Sequence, residues 1–549
     1  MIYTTISVAR NIGREGKVMA KYDVAIRGGR VVDGAGNPWY YSDIGVRDGK
    51  IVRIGSISGS DADRIFDASG LVVCPGFIDL HTHSDVTVLA DGDAQSKVRQ
   101  GVTLDVIGES NSVGPVVGPA AGEYREEQHL RYGVEVNWSD FTGYFQRLIR
   151  QGTSINIASS VAPQQIRRAV VGFDNRAAGP DELQMMKSLV TQAMEQGAVG
   201  LSAAWHSGGP EFVDELIEMA VVAAQHGGYY GTHVGSEGFD IGTELDKTFQ
   251  IARASGIPVH IYHLKIRGRD HWGQIGRVIE MIQSAMAEGL EVTADQYPYT
   301  AMQHPWHRLM PRWIQDAPRS ETIPQFRDRQ FRDRVKEDPE FNQYVQEHGG
   351  WEGIVMSVVA NQSLKPSEGK SVADIARQRN NADPAETCFD LVAENGAFPG
   401  GVYHTMSEED VRTVMRHPWV SVASDGSALN DQVPGLPHPR SFGTNSRVLG
   451  TYVREQGVLP LEEAIRKMTS LPAQVLRSQN RGLLREGCWA DVVAFDPGTV
   501  GERGTFENPK QYCEGVEYVL VNGVPVIDRG EHTGARPGMV VYGPGYTGG

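Results

Sequence analysis

The sequence predicts an α/β protein: a (β/α)8 TIM-type barrel, a small β-sandwich assembled from both chain ends, and an insertion near the barrel mouth. Three observations predict it. The middle of the chain alternates short apolar runs with longer stretches of helical apolar spacing, both ends carry β-type runs broken by tight turns, and histidines and acids fall where apolar runs end. Repeated βα units imply a parallel sheet, and this many in succession favour closure into a barrel. The competing open, doubly wound sheet lacks its usual sign, a GxGxxG after an early strand.

At 549 residues the chain exceeds what one hydrophobic core usually serves. Residues 1–22 carry Arg10, Arg14, Lys17 and Lys21 without a continuous apolar block, so they read as a poorly structured leader rather than a secretory signal. Residues 23–73 (VAIRGGRVVDGAG, DIGVRDGKIVRIG, GLVVCPG) and 480–549 (GCWADVVAFDP, VEYVLVNGVPVI) alternate Val and Ile between Gly, Asn and Asp, the pattern of strands and turns of one β-domain. Residues 74–479 form the expected barrel. Its strands are read at 152–160, 198–203, 228–233, 257–265, 290–297, 353–360 and 420–425, and helices at 182–195, 214–226, 275–288 and 460–468. The polar, Arg-rich stretch at about 302–350 interrupts this rhythm and is the expected insertion.

Bulk composition narrows the function. With 40% hydrophobic and 22% charged residues the chain is ordinary globular material. A formal net charge of −16 argues against a nucleic-acid surface, which needs clustered Lys and Arg. No run of about 18 apolar residues exists to span a membrane. The four cysteines, Cys74, Cys388, Cys488 and Cys513, form no CxxC pair, which fits a reducing cytoplasm.

The strongest chemical signal is PGFIDLHTHSD. Period-two geometry places His81 and His83 on one face, close enough to share a metal ion. His233 ends GGYYGTH, His263 ends IPVHIYH and Asp425 ends VSVASD, so four histidines and an acid converge at the catalytic mouth of a barrel. Neutral imidazoles suit zinc, and an open coordination position lowers the pKa of water toward about 7. Asp425 is the candidate to take that proton and pass it to a leaving nitrogen.

In this order and spacing, GGRVVDGAG, PGFIDLHTHSD, QGVTLDVIGES, GAVGLS, THVGSEG, PVHIYHLK, WGQ, EVTADQYPYTA, SDG, HPRSFGT, RKMTSLPAQ and GCWADVVAFDP resemble the amidohydrolase superfamily, and within it the N-acyl-D-amino-acid deacylases (D-aminoacylases), from about residue 23 to 540. The resemblance implies a barrel with an attached β-sandwich and one or two Zn2+ at the mouth. His81, His83, His233 and His263 would be ligands and Asp425 the general acid/base. It also implies substrate contacts from Lys265, Tyr297 and Arg440, an amine, a phenol and a guanidinium suited to a carboxylate. Lys265 lies two residues past His263 and so shares its face; Arg440 alternatively ties down its own loop.

One segment departs from the family pattern. D-aminoacylases carry GNCG where this chain has Gly108-Glu109-Ser110-Asn111, so Ser110 stands at the position of the metal-binding cysteine. A serine hydroxyl is a poor zinc ligand and a carboxylate a good one. Glu109 is therefore the favoured replacement, with a role behind the ligands as its alternative. His260 is expected to pack against a helix, His206 and Trp205 to line the pocket or the core, and His304 and His307 to be solvated. Asp79 and Asp85 flank the HTH motif as candidates for an orienting role.

The expected activity is zinc-dependent hydrolysis of an amide C–N bond, deacylating N-acyl-D-amino acids. The alternative is another amide on the same scaffold: a cyclic amide, dipeptide, formamide or carbamate. A catalytically inactive scaffold is disfavoured, because the full ligand set is present. The expected partner is a small, carboxylate-bearing substrate, with no nucleic acid or membrane, and assembly into a homo-oligomer is compatible with the sequence.

Overall fold

Runs rich in Val, Ile and Ala, buried on both faces, form eight strands: Phe77–Asp79, Val102–Ile107, Asn156–Ser159, Gly200–Ala204, Tyr229–His233, Val259–Ile261, Val292–Gln296 and Val420–Val422. The computed structural model describes residues 20–109, 111–174, 176–204, 212–315 and 317–548. It pairs the first three strands in parallel and the last five in parallel. Two parallel bridges, Val161 with Leu201 and Thr82 with Gly426, join these arcs into a ring. The strands form a closed (β/α)8 barrel, and double-sided burial follows because side chains fill the inside while helices cover the outside.

The covering helices include Pro180–Glu195, Phe212–Gln225, Ile241–Ser255 and Ile275–Ala287. Local chemistry sets their starts. Pro180 occupies the first turn of its helix, where a missing N–H costs nothing, and the Glu182 carboxylate accepts from Gly179 N at 2.7 Å.

A nine-stranded sheet joins the two ends of the chain. Val492–Phe495 lies antiparallel to Val72–Pro75, which continues through Tyr22–Val31 to the hairpin Tyr40–Arg47 and Lys50–Ile54. Its core of Val24, Ile26, Ile44, Val46, Phe66, Val492 and Leu520 is separate from that of the barrel. The last residues leave this sheet: Pro537 and Val540 bridge to Thr153 and Ile157, and Gly543 N donates to Gly197 O at 2.9 Å. The tail thus runs along the barrel beside the starts of its third and fourth strands.

The segment between the seventh and eighth strands is larger than the polar stretch read at 302–350. Ala301–Pro305, Ile354–Val358 and Gly400–His404 form an antiparallel sheet with its own core, including Trp306, Phe326, Phe341, Phe389 and Tyr403. The run at 353–360, expected as a barrel strand, belongs here, because a short buried apolar run reads the same in any sheet. His304 is not simply solvated: its ring stacks on Tyr403 at 4.1 Å, and its Nε2 lies 2.9 Å from His348 Nε2. No helix among the described residues is long and apolar enough to cross a membrane.

Burial, with the nearby Arg267 charge, brings His348 down to about 3, and burial holds His304 well below its ordinary value. Both are neutral when folded, whereas an unfolded histidine gains a proton near pH 6.5. Their contribution is fully present above about pH 6.5 and is lost as pH falls toward the folded values. Unfolding free energies from urea titrations are expected to drop between pH 7.5 and 5, by at most ~1.4 kcal/mol per pH unit for His348. The slope should flatten in His348→Asn; an unchanged slope would assign the acid sensitivity to other groups.

Candidate metal centre

Each ligand-type side chain lies at or just past the carboxyl end of a barrel strand. His81 and His83 follow Phe77–Asp79, Glu109 follows Val102–Ile107, His233 ends its strand, His263 follows Val259–Ile261, and Asp425 follows Val420–Val422. Gly108 makes the Glu109 position accessible. Its φ is +103°, and a Cβ there would meet Ser160 O at 2.1 Å, so only glycine lets the chain pass.

The donors form two adjoining groups, each with ligand atoms within 4.8 Å of one another: His81, His83, Glu109 and Asp425; and His233, Glu237 and His263. In the first, Glu109 Oε2 lies 2.9 Å from His81 Nε2 and 3.1 Å from His83 Nε2, and Asp425 Oδ1 lies 2.9 Å from His83 Nε2. Glu109 reaches the second group through Oε1, 3.6 Å from His233 Nδ1, and Asp425 reaches it through Oδ2, 3.9 Å from His263 Nε2. Burial would push the Glu109 carboxyl up, but the His81 and His83 charges outweigh it and hold it well below the usual range. For Asp425 the same burial is overcome by Arg440 first and His81 second. Burial, with Lys265 and His233 nearby, brings His263 down to about 4, which keeps its imidazole neutral.

Two acids absent from the expected site stand behind the imidazoles. Glu237 Oε1 lies 2.9 Å from His263 Nδ1, leaving Nε2 to face Asp425. Asp295 Oδ1 accepts from His263 N at 2.6 Å and lies 3.6 Å from His81 Nδ1. His260, expected against a helix, instead reaches Asp295 Oδ2 at 3.0 Å. The alternation that predicted otherwise ends with the strand at Ile261, and His263 takes a φ of +34°. Glu237 and Asp295 were within reach of sequence reasoning, as acids inside THVGSEG and TADQYPY, segments already singled out.

The structure places Lys265, Tyr297 and Arg440 beside these groups. Lys265 Nζ pairs with Glu237, lies 2.6 Å from His263 Nδ1 and donates to His263 O at 3.2 Å. Arg440 Nη1 donates to Asp425 Oδ2 at 2.5 Å, and its guanidinium lies 5.1 Å from the centre of the Tyr297 ring. The Tyr297 hydroxyl is buried beside the Arg440 guanidinium. Ser110, Trp205 and His206 lie outside the described residues.

Imidazole nitrogens and carboxylate oxygens, buried and converging on two adjoining points, fit a divalent ion such as zinc. A parallel barrel with such a mouth is the architecture of a metal-dependent hydrolase. The family model described as Amidohydrolase family matches residues 344–527. D-aminoacylase of Alcaligenes xylosoxydans xylosoxydans is 32% identical over 526 residues, spanning 95% of this chain and 97% of that one. N-acyl-D-glutamate deacylase of the same organism is 32% identical over 527 residues, spanning 95% and 96%. A crystal structure of N-acyl-D-glutamate deacylase from Bordetella bronchiseptica, complexed with zinc and a phosphonate mimic of the tetrahedral intermediate, has a TM-score of 0.79 at 31% identity, covering 95% of this chain and 100% of that one. The chain belongs to the amidohydrolase family, in its D-aminoacylase branch.

Because Glu109 touches both donor groups, Glu109→Gln is expected to weaken divalent binding by at least ~10-fold. Zinc titration with a competing chelator measures it; unchanged affinity would place Glu109 behind the ligands.

Proposed function

We propose that this protein is a zinc-dependent N-acyl-D-amino-acid deacylase, hydrolysing the amide C–N bond of a small carboxylate-bearing substrate to a carboxylate and a free amino acid. The single observation that carries this reading is the convergence of four imidazoles, Glu109 and Asp425 beside Lys265, Tyr297 and Arg440 in one barrel mouth. Similarity over 95% of the chain to D-aminoacylase and N-acyl-D-glutamate deacylase supports it. His81, His83, Glu109, His233 and His263 hold one or two Zn2+. When bound, zinc polarises the scissile carbonyl and makes water a nucleophile near neutral pH.

The remaining steps belong to the chain. Asp425 accepts the proton of the attacking water and returns it to the leaving nitrogen as the C–N bond breaks. Arg440 holds Asp425 Oδ2, so the acid keeps one orientation while Oδ1 stays on the His83 side. Tyr297 and Arg440 receive the substrate carboxylate. Two Lys265 donors are engaged by Glu237 and the His263 carbonyl, and with His263 Nδ1–H turned to Glu237 the third remains for a substrate carboxylate. Four free cysteines, three of them buried, suit a cytoplasmic setting.

The direct test is release of free amino acid from paired N-acetyl-D- and N-acetyl-L-amino acids by the zinc-loaded protein. D-selective release supports the reading; bound zinc with no release from either series would sink it. Asp425→Asn should retain zinc yet lower kcat by at least ~100-fold, read by single-substrate kinetics. Lys265→Ala should raise KM for carboxylate-bearing substrates far more than for neutral amides. Equal effects on both classes would confine Lys265 to holding Glu237 and His263.

A further inference from the structure

Between the first and eighth strands the barrel has no ladder. The seam is bridged by Thr82 and Gly426, where His83 N donates to Gly426 O and Asp425 N to His81 O, both at 2.9 Å. His81, His83 and Asp425 face one another across this thin junction, so their spacing depends on what else ties its sides together.

Lys97, on the short helix Gln95–Val98, supplies the tie. Its side chain is fully buried. Its Nζ donates to Asp79 Oδ2 at 2.8 Å and to Ser424 Oγ at 2.7 Å, and lies 3.7 Å from Asp105 Oδ2. Asp79 ends the first strand, two residues before His81; Asp105 lies in the second, four before Glu109; Ser424 precedes Asp425. Secondary bonds lock the pieces. Ser424 N donates to Asp79 Oδ1 at 2.9 Å, Ser84 Oγ donates to Asp105 Oδ2 at 2.7 Å, and Ala428 N donates to Ser84 Oγ at 2.9 Å. One ammonium therefore connects the rims of the first, second and eighth strands directly beneath the metal-binding residues.

We propose that Lys97 is a positioning residue for the reaction: through Asp79, Asp105 and Ser424 it sets the distance between the His81–His83 segment and Asp425. Stability alone is a poor reason for such a group, since apolar residues of similar volume commonly replace a buried ion pair at no cost. What an apolar cluster does not provide is directional bonds that fix three chain segments in one register. The inference rests on the ligand and Asp425 roles given above.

Lys97→Met strands two buried carboxylates, so the decisive variant is Lys97→Met/Asp105→Asn, which leaves the cluster's formal charge unchanged. Ser424→Ala, which removes one contact of the ammonium without stranding a charge, is its companion. Ser424→Ala is expected to melt close to the unmodified protein, and the double variant, which leaves the buried Asp79 carboxylate without its ammonium, at a lower temperature. The double variant should show kcat about 100-fold lower, KM nearly unchanged because the substrate contacts lie elsewhere, and zinc affinity about 10- to 100-fold weaker by chelator competition. Ser424→Ala should shift kcat and zinc affinity the same way by smaller factors. Folded variants with parental kcat and zinc affinity would overturn the inference alone. Losses that vary only in step with melting temperature would reduce Lys97 to a stabilising role and also overturn it. Failure of the unmodified protein to take up zinc would instead overturn the metal reading, and this inference with it.

Discussion

Four carboxylates, Glu109, Glu237, Asp295 and Asp425, are buried within one barrel mouth, and everything around them answers to that charge. Burying an unpaired carboxylate is expensive, so each needs a cation or an array of donors close by. Lys265 and His263 serve Glu237, Arg440 serves Asp425, His260 and the His263 amide serve Asp295, and His81 and His83 serve Glu109. Each partner comes from a rim segment neighbouring that of its acid, apart from Arg440, which follows Asp425 past the end of the same strand. The cleft is therefore stable only when the barrel is closed and its rims are in register, and a divalent cation is the natural further counter-charge.

That requirement explains why the scaffold is spread so widely. The sheet built from both chain ends packs its own core, yet strands from the two ends meet at Val72–Pro75 and Val492–Phe495 immediately before the first barrel strand. The start of the barrel is thereby fixed by residues more than four hundred positions apart. The insertion likewise has a core of its own, while Arg267, just past the sixth strand, pairs with Glu347 at 2.9 Å across the boundary. Function-bearing loops are held by rigid neighbours on both sides, the arrangement that lets a barrel keep its fold while its mouth varies.

Much of this was legible in the sequence, for physical reasons. Val and Ile runs ending in His or Asp gave the strands and the site together, because the barrel puts every strand's carboxyl end on one face. His81, His83, His233, His263, Glu109 and Asp425 are brought together as that geometry requires. Misreadings arose where a periodic signal stops. His260 was turned the wrong way because strand alternation ends at Ile261. The run at 353–360 was given to the barrel because burial does not reveal which sheet a strand joins. Glu237 and Asp295 carried no pattern of their own; their roles depend on which imidazole nitrogen they face, a tertiary fact. The Lys97 cluster is likewise spread over residues 79–428, and no window of sequence contains it.

Two residues of the candidate site sit in left-handed backbone, His263 at φ +34° and Asp425 at φ +50°, conformations that cost non-glycine residues free energy and persist where the surroundings over-determine them. Here the surroundings are parts of the site itself. The His263 amide is held by Asp295, the acid that also faces His81, and the Asp425 amide is held by the carbonyl of His81. Backbone strain, imidazole orientation and carboxylate pairing are thus maintained by the same few bonds. Removing one partner releases more than its own contact, because the strained segment it restrained is free to relax and carry its side chain away. Energies of single substitutions in this mouth will therefore not add, as is usual for groups sharing one hydrogen-bond network. The unit that has to be kept intact is the closed ring of strand ends, not any one histidine.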